Sequence, residues 1–361
     1  MEIVNRGKSN DLVTPLDPNS IDFGQSFTNN YFLMEYSDGA WHSPRIEPLS
    51  NFSLHPAAIV LHYAQQIFEG MKAHRQSDGG LALFRPHMNA KRFNSSARRL
   101  NMPEVDEDFF LHALQTLVFN EQAHAPDRPG SLYIRPTMIA TQPCIRVAVS
   151  QTYLFYILAL PAGPYFKGNA EEAGKVDVLV TRDVVRAAPR GTGNIKSGIN
   201  YAGTLQIATR AKTLGCQQVL YLDGKEQKYV EEAGAMNIFF VDDGRIITPK
   251  LSGAILPGVT RDSILQLAHD RGIETEERLI SLDYVLENIA SGRISEVFCC
   301  GTAVRVTGLN SFVFEDNTRV QVTPTPGPIT RALFEDLTQI QYGMTEDTHD
   351  WLCSEFFHRS R

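Results

Sequence analysis

Residues 191–203 read GTGNIKSGINYAG, which sets Lys196 among Gly191, Gly193, Gly198 and the small polar side chains of Asn194, Ser197 and Asn200. A phosphate-binding loop needs a glycine directly before its lysine, and Ile195 holds that place. The GxGxxG pattern fails as well, because its third glycine position is Lys196 itself. Two readings remain. One is a solvated loop lysine. The other is an amine that condenses with a carbonyl, which needs a neutral fraction and the close approach of a flat carbonyl compound. Small neighbours allow that approach, and glycines permit unusual backbone angles around the lysine. Tyr201, five residues on, is placed to hydrogen-bond a phenolate oxygen.

A Schiff-base cofactor such as pyridoxal phosphate makes two further demands: an anion cradle for its phosphate and an acid partner for its ring nitrogen. Two cradles are visible. In LPGVTRDSILQL, Pro257 and Gly258 precede a helical pattern, so the amides of Val259 and Thr260 point at an anion there. In CGTAV, Gly301, Thr302 and Ala303 end a strand and supply amides and a hydroxyl. Each also reads as an ordinary glycine turn. Arg92 is one of several basic residues on the segment 86–100. The acid could be Glu231 or Glu232 in YVEEAGAMNIFF, and pattern alone does not choose between them.

The elements that must position these residues alternate without strict βαβ order. Segment 86–100 predicts a helix, with Phe93, Ala97 and Leu100 on one face, and 106–122 predicts another that opens with acids. Further helices are expected at 201–214, ending at Gly215, at 260–272, ending at Gly272, and at 281–292 and 327–343. Strands are expected at 131–141, 151–163, 175–181, 218–224, 237–241 and 245–249, with a strand–turn–strand unit at 295–308. This mixture predicts an α+β fold of two domains rather than a doubly wound sheet. The Gly-rich stretch AGPYFKGNAEEAG marks the connection, giving a small N-terminal domain 1–165, a link 166–175 and a larger domain 176–361.

The chain of 361 residues is 43% hydrophobic and 21% charged, with a net charge of -7. That balance fits a mildly acidic enzyme with small-molecule substrates, and no basic tract points to nucleic acid. The longest apolar run, YLFYILAL, is too short to span a membrane. No apolar stretch near Met1 has the length of a signal peptide. Five cysteines without a CxxC spacing suit a reducing cytoplasm, and Cys299 and Cys300 read as strand neighbours on opposite faces. No HExxH or Cys/His cluster predicts a metal site.

The ordered series LHYAQQIFEGMKA, LFRPHMNAKRFNSSARRL, LYIRPTMIAT, GPYF, GTGNIKSGINY, GCQQVLYLDG, EEAGAMNIFFV, LSGAILPGVTRDS, VFCCGTA and IQYG resembles the branched-chain amino-acid aminotransferases, fold-type IV pyridoxal-phosphate enzymes. The resemblance runs from about FGQSFTNNYFLMEY to near the C-terminus. It implies a two-domain α+β fold with pyridoxal 5'-phosphate between the domains, a dimer or larger assembly, and transamination from Leu, Ile or Val to 2-oxoglutarate by a ping-pong cycle. It implies that Lys196 binds the cofactor and moves the proton, that Tyr201 meets the ring oxygen, and that Glu232 meets the ring nitrogen. Arg92, with Val259, Thr260 and Thr302, matches the phosphate site, and Arg186 matches an active-site arginine. Tyr133, Arg135, Thr302 and Ala303 match residues near the substrate carboxylate. Phe27, Tyr63, Phe68 and Tyr165 match the lining of an apolar side-chain pocket.

Three departures bear on substrate. The loop that reaches the partner subunit in this family is CIRV here, with Arg146 in place of glycine; Arg190 and Ile199 replace glycines beside Lys196; and Arg305 and Gly308 follow the second cradle. Arg146 is expected either to point to solvent or to change the amino-acid preference. Competing readings are a relative of altered specificity in a specialised pathway, a D-amino-acid aminotransferase or aminodeoxychorismate lyase, or a cofactor-binding paralogue without turnover. The CxxC redox pair of vertebrate relatives is absent, since Val304 and Thr307 hold those positions.

Overall fold

The computed structural model describes residues 1–9, 16–165 and 176–354. It divides into two compact units, one of Met1–Tyr165, Ile195–Gly198 and Ile340–Arg361, the other of Phe166–Asn194 and Ile199–Gln339. The connection expected at 166–175 lies outside the described residues. Lys196 was expected within 176–361, but its loop groups with the first unit for a local reason. The Phe68 amide donates to the Lys196 carbonyl at 2.9 Å, and the Lys196 amide donates to Ser96 Oγ at 3.1 Å. Ser197 Oγ donates to the Gln66 carbonyl at 2.7 Å. The chain also returns to the first unit near its end, where Leu352–Cys353 pairs with Leu81–Phe84.

The first unit is built on a nine-stranded sheet. Across it run Val4–Asn5, Ala40–Pro48, Asn30–Ser37, Tyr153–Ala162, Ser131–Ala140, Met71–Arg75, Leu81–Phe84 and Leu352–Cys353, with the short strand Gln66–Phe68 also paired to Ser131–Ala140. The central pair runs antiparallel in unbroken register from Ser131↔Ala162 to Ala140↔Tyr153. In Tyr153–Ala162 the first residues alternate buried and half-buried, which is the period of a strand with one face on a core. Helices Pro86–Arg99 and Glu107–Glu121 cover that core. Proline opens the first, where its missing N–H costs nothing. Asp106 caps the second by accepting the Phe109 amide at 2.9 Å. Phe93 meets Phe110 and Phe155 with ring centroids 5.3 Å apart in both pairs.

The second unit holds another nine-stranded sheet. Its order is Val230–Ala233, Gln218–Leu222, Val176–Val180, Arg305–Val313, Ile294–Gly301, Met236–Asp242, Arg245–Pro249 and Thr275–Arg278, with Arg319–Gln321 beside Arg305–Val313. Val230–Ala233 also pairs with Met236–Asp242, so this part of the sheet closes on itself around Val178, Leu220, Ile238 and Phe312. Parallel pairs flank Val176–Val180 while most others are antiparallel. Cys299 and Cys300 are adjacent and fully buried in Ile294–Gly301, and burial pushes both thiols far up, so neither supplies a thiolate.

The expected helix 201–214 is two, Ile199–Ala202 and Leu205–Thr213, broken at Gly203 and Thr204. Gly215 and Gly272 follow the helices they were expected to end, each at positive φ (74° and 69°). Among the described residues no helix is long and apolar enough to cross a membrane, and no group of His, Cys, Asp and Glu is arranged to hold a metal ion.

Candidate active site

Lys196 is half-buried between the buried Ile195 and Ser197. Its Nζ lies 5.1 Å from the centre of the Phe68 ring. The Arg135 guanidinium stacks on the same ring at 4.8 Å, and its Nη2 donates to the Tyr133 hydroxyl at 3.0 Å. The glycines around Lys196 serve a different purpose from the one expected. Gly191, Gly193 and Gly198 all keep ordinary φ, and the left-handed residue here is Arg190, at φ 64°. What the glycines provide is room. A Cβ on Gly193 would strike the Ala254 carbonyl and the Ala187 methyl, and one on Gly198 would strike the Gln66 side chain.

Beside Lys196 in the first unit stands a residue that sequence reasoning missed. Glu69 is fully buried, and it accepts Arg92 Nε at 2.7 Å and Arg92 Nη2 at 2.9 Å. Asn89 Nδ2 donates to the same carboxylate at 2.7 Å, as does the Gly70 amide at 3.0 Å. Burial alone would push this carboxyl up; the Arg92 guanidinium and the Lys196 ammonium outweigh burial and hold it below the usual range. One buried carboxylate therefore lies in the field of two cations. An acid inside the apolar run IFEGM was the available signal, but its partner lies twenty-three residues away.

Gly70 matters through close approach. A Cβ there would collide with the Tyr133 hydroxyl. Gly70→Ala is expected to displace Tyr133 and, through it, Arg135, and to lower kcat/KM about 10–100-fold in a steady-state assay, with a circular-dichroism spectrum like the parent's.

Tyr133 and Tyr165 are joined by Phe23, which was not anticipated: its ring centroid is 4.9 Å from Tyr133 and 5.5 Å from Tyr165, edge to face in both. Burial pushes the Tyr165 hydroxyl up. Phe27, Tyr63 and Tyr165 are all more exposed than expected, at 45%, 37% and 38%. Tyr63 donates its hydroxyl to the Ile145 carbonyl, which ties it to the CIRV loop, where Arg146 is exposed.

In the second unit Arg186 and Glu232 form a buried ion pair at 2.5 Å. Arg186 Nη2 also donates to the Gly193 carbonyl at 3.1 Å and to the Ala254 carbonyl. Asn237, another residue not singled out from sequence, donates through Nδ2 to Glu232 Oε1 at 3.1 Å and to the Leu256 carbonyl at 3.0 Å. It thereby ties Glu232 to the loop that leads into helix Val259–Asp270. That helix starts at Gly258 with no side-chain cap, and Val259 and Thr260 are buried. A helix begun without a side-chain cap can offer its first amides to an anion. Thr302 and Ala303 are half-buried on the turn after Ile294–Gly301, whose Cys300 pairs in register with Asn237. Tyr201, half-buried on Ile199–Ala202, accepts the Thr204 amide and hydroxyl at its carbonyl.

Comparison with known proteins agrees with this arrangement. Residues 66–312 match the family model for amino-transferase class IV. The chain is 44% identical over 338 residues to a branched-chain-amino-acid aminotransferase of Mycolicibacterium smegmatis, covering 92% of this chain and 91% of that protein. The crystal structure of the Escherichia coli branched-chain amino acid aminotransferase superposes with a TM-score of 0.73 at 26% identity, covering 90% of this chain and 98% of that one. A T.th. branched-chain amino acid aminotransferase, solved with pyridoxamine 5'-phosphate, gives a TM-score of 0.72 at 26% identity, covering 89% of this chain and 97% of that one. The chain belongs to the class IV aminotransferases and, within them, to the branched-chain-amino-acid aminotransferases. Its α+β fold is accordingly that of the fold-type IV enzymes.

Proposed function

We propose that the protein moves the amino group of leucine, isoleucine and valine to 2-oxoglutarate, with pyridoxal 5'-phosphate as cofactor, and so forms the branched-chain 2-oxo acids and glutamate. The observation that carries this reading is the Lys196 amine held against Phe68 beside the buried Arg92–Glu69 pair. The residues present fit the cofactor: Arg92 and Lys196 both act on the buried Glu69, the helix at Val259 starts without a side-chain cap, and Glu232 is a buried acid.

When bound, the cofactor supplies a ring that accepts the electron pair left on the amino acid's α carbon. Lys196 anchors it and, through Nζ, takes up and returns the α proton. Glu232 holds a proton at the ring nitrogen, with Arg186 and Asn237 fixing its carboxylate. Arg92, Val259, Thr260 and Thr302 bind the phosphate, and Tyr201 donates to the ring oxygen. Arg135 and Tyr133, with Thr302 and Ala303, orient the substrate carboxylate. Phe27, Tyr63, Phe68 and Tyr165 line the apolar place for its side chain.

The working form in this reading is a homodimer. Leu61, Ile145 and Val147 are exposed at 59%, 60% and 79% around the CIRV loop, an apolar surface suited to a second copy. Its compartment is the cytoplasm, in keeping with five free cysteines. Arg146 favours a second reading: an arginine in that loop selects a more polar or acidic amino acid.

A panel assay separates them. Purified protein with pyridoxal phosphate and 2-oxoglutarate is expected to form glutamate fastest with leucine, isoleucine and valine. Turnover only with an acidic or polar amino acid contradicts the first reading, and restoration of branched-chain turnover by Arg146→Gly then establishes the second.

A further inference from the structure

Glu231 precedes the acid of the Arg186–Glu232 pair, and in a regular strand the two side chains would face opposite ways. The strand is not regular there. Tyr221 pairs with Glu232 and Leu222 with Val230, so Glu231 is the extra residue of a β-bulge. A bulge re-aims the side chains beside it. Both carboxyls are buried, at 4% and 3% exposure, and both lie in the field of the Arg186 guanidinium.

The partners are unevenly shared. Glu232 has the Arg186 ion pair at 2.5 Å and a hydrogen bond from Asn237 Nδ2 at 3.1 Å. Glu231 Oε2 is buried with no hydrogen-bond partner among the described residues, and so is Arg186 Nε, an unused acceptor and an unused donor. The charged groups that act on Glu231 are Arg186 from the loop before Lys196, Glu232 from its own strand, and Asp223 from the end of the adjacent strand. Two buried carboxylates and a third acid against one guanidinium favour keeping a proton. Burial pushes the Glu231 carboxyl up, Arg186 pulls it back, and Glu232 and Asp223 push it up again, to about 7.

We propose that Glu231 is a proton-holding positioning residue of the Arg186–Glu232 pair. Protonated, it leaves Arg186 to Glu232 alone. Ionised, it competes for Arg186 through the unused Nε and leaves Glu232 less neutralised. Given the function proposed above, on which this consequence rests, the ionised form lets Glu232 hold the ring-nitrogen proton more firmly, so turnover rises through the Glu231 ionisation.

The test uses two readouts. A carboxyl whose folded value lies above its unfolded value stabilises the fold below the unfolded value and loses that contribution as pH rises through the folded value. The Tm of Glu231→Gln apoprotein, taken relative to the parent, is therefore expected to rise from about pH 4.5 and to level off near pH 7. In a Glu232→Gln background the rise should level off at a lower pH, because a charge that raises the folded value is gone. In the holoenzyme, kcat/KM of the parent should rise through the same ionisation, and Glu231→Gln should lack it. A Tm difference that does not vary with pH overturns the proposal. So does a pH-dependent difference joined to an unchanged kcat/KM profile, since that describes a buried acid without influence on Glu232. A parent protein that takes up no pyridoxal phosphate defeats the functional reading instead, and the apoprotein comparison still decides whether Glu231 titrates against the pair.

Discussion

Lys196→Ala is expected to lower transamination by about four orders of magnitude or more, the upper range for loss of an acid–base group, and here the anchor for the cofactor is lost with it. The fold should survive. The loop is held by backbone bonds that the substitution leaves in place, from the Phe68 amide to the residue-196 carbonyl and from the residue-196 amide to Ser96 Oγ. What goes is the ammonium over Phe68, a contact worth about 0.5–1 kcal/mol at a partly exposed site. Glu69 keeps Arg92. The measurement is initial rate with leucine and 2-oxoglutarate, beside a denaturation curve. Retained turnover in a folded variant rejects the role given to Lys196.

The second large effect concerns stability. Arg92→Leu leaves the Glu69 carboxylate fully buried without its main partner, and breaking a buried pair from one side costs about 3–5 kcal/mol. The pH dependence gives the mechanism away. In the parent, Glu69 titrates below its unfolded value, so its stabilising contribution is present above about pH 4.5 and is lost as pH falls further. In the variant, burial without Arg92 raises the carboxyl, and protonation then relieves the penalty. The stability gap between parent and variant should therefore be widest at neutral pH and narrow on acidification, in urea denaturation at a series of pH values. Adding Glu69→Gln to Arg92→Leu should recover part of the loss at neutral pH. A gap that stays constant with pH would mean that lost packing of the long arginine stem, not an unpaired charge, sets the cost.

How far the sequence showed all this depends on the range of each interaction. Helix Pro86–Arg99 was legible because Phe93 and Ala97, one turn apart, are both fully buried. The ends at Gly215 and Gly272 were legible because a left-handed residue after a helix favours glycine. The break at Gly203 and Thr204 was not, since apolar periodicity carries through it. The glycines about Lys196 were noticed but given the wrong physics: they admit neighbouring atoms, and the unusual backbone falls to Arg190. Placement of Lys196 with the first unit was hidden because it depends on Gln66, Phe68 and Ser96, a hundred or more residues earlier. Glu69 and Asn237 were hidden for a related reason. An acid and an amide within apolar strands acquire meaning only when Arg92 and Glu232 are set against them. That Glu231 and Glu232 are both buried goes with a bulge that no local pattern announces.

The most direct test of the central reading is the visible absorption of the purified protein with pyridoxal phosphate, followed while single L-amino acids are added. The account predicts a band from the cofactor joined to Lys196 that fades with leucine, isoleucine and valine, returns when 2-oxoglutarate is added, and never forms in Lys196→Ala. A parent protein that shows no such band, or a band that branched-chain amino acids leave unchanged, contradicts it.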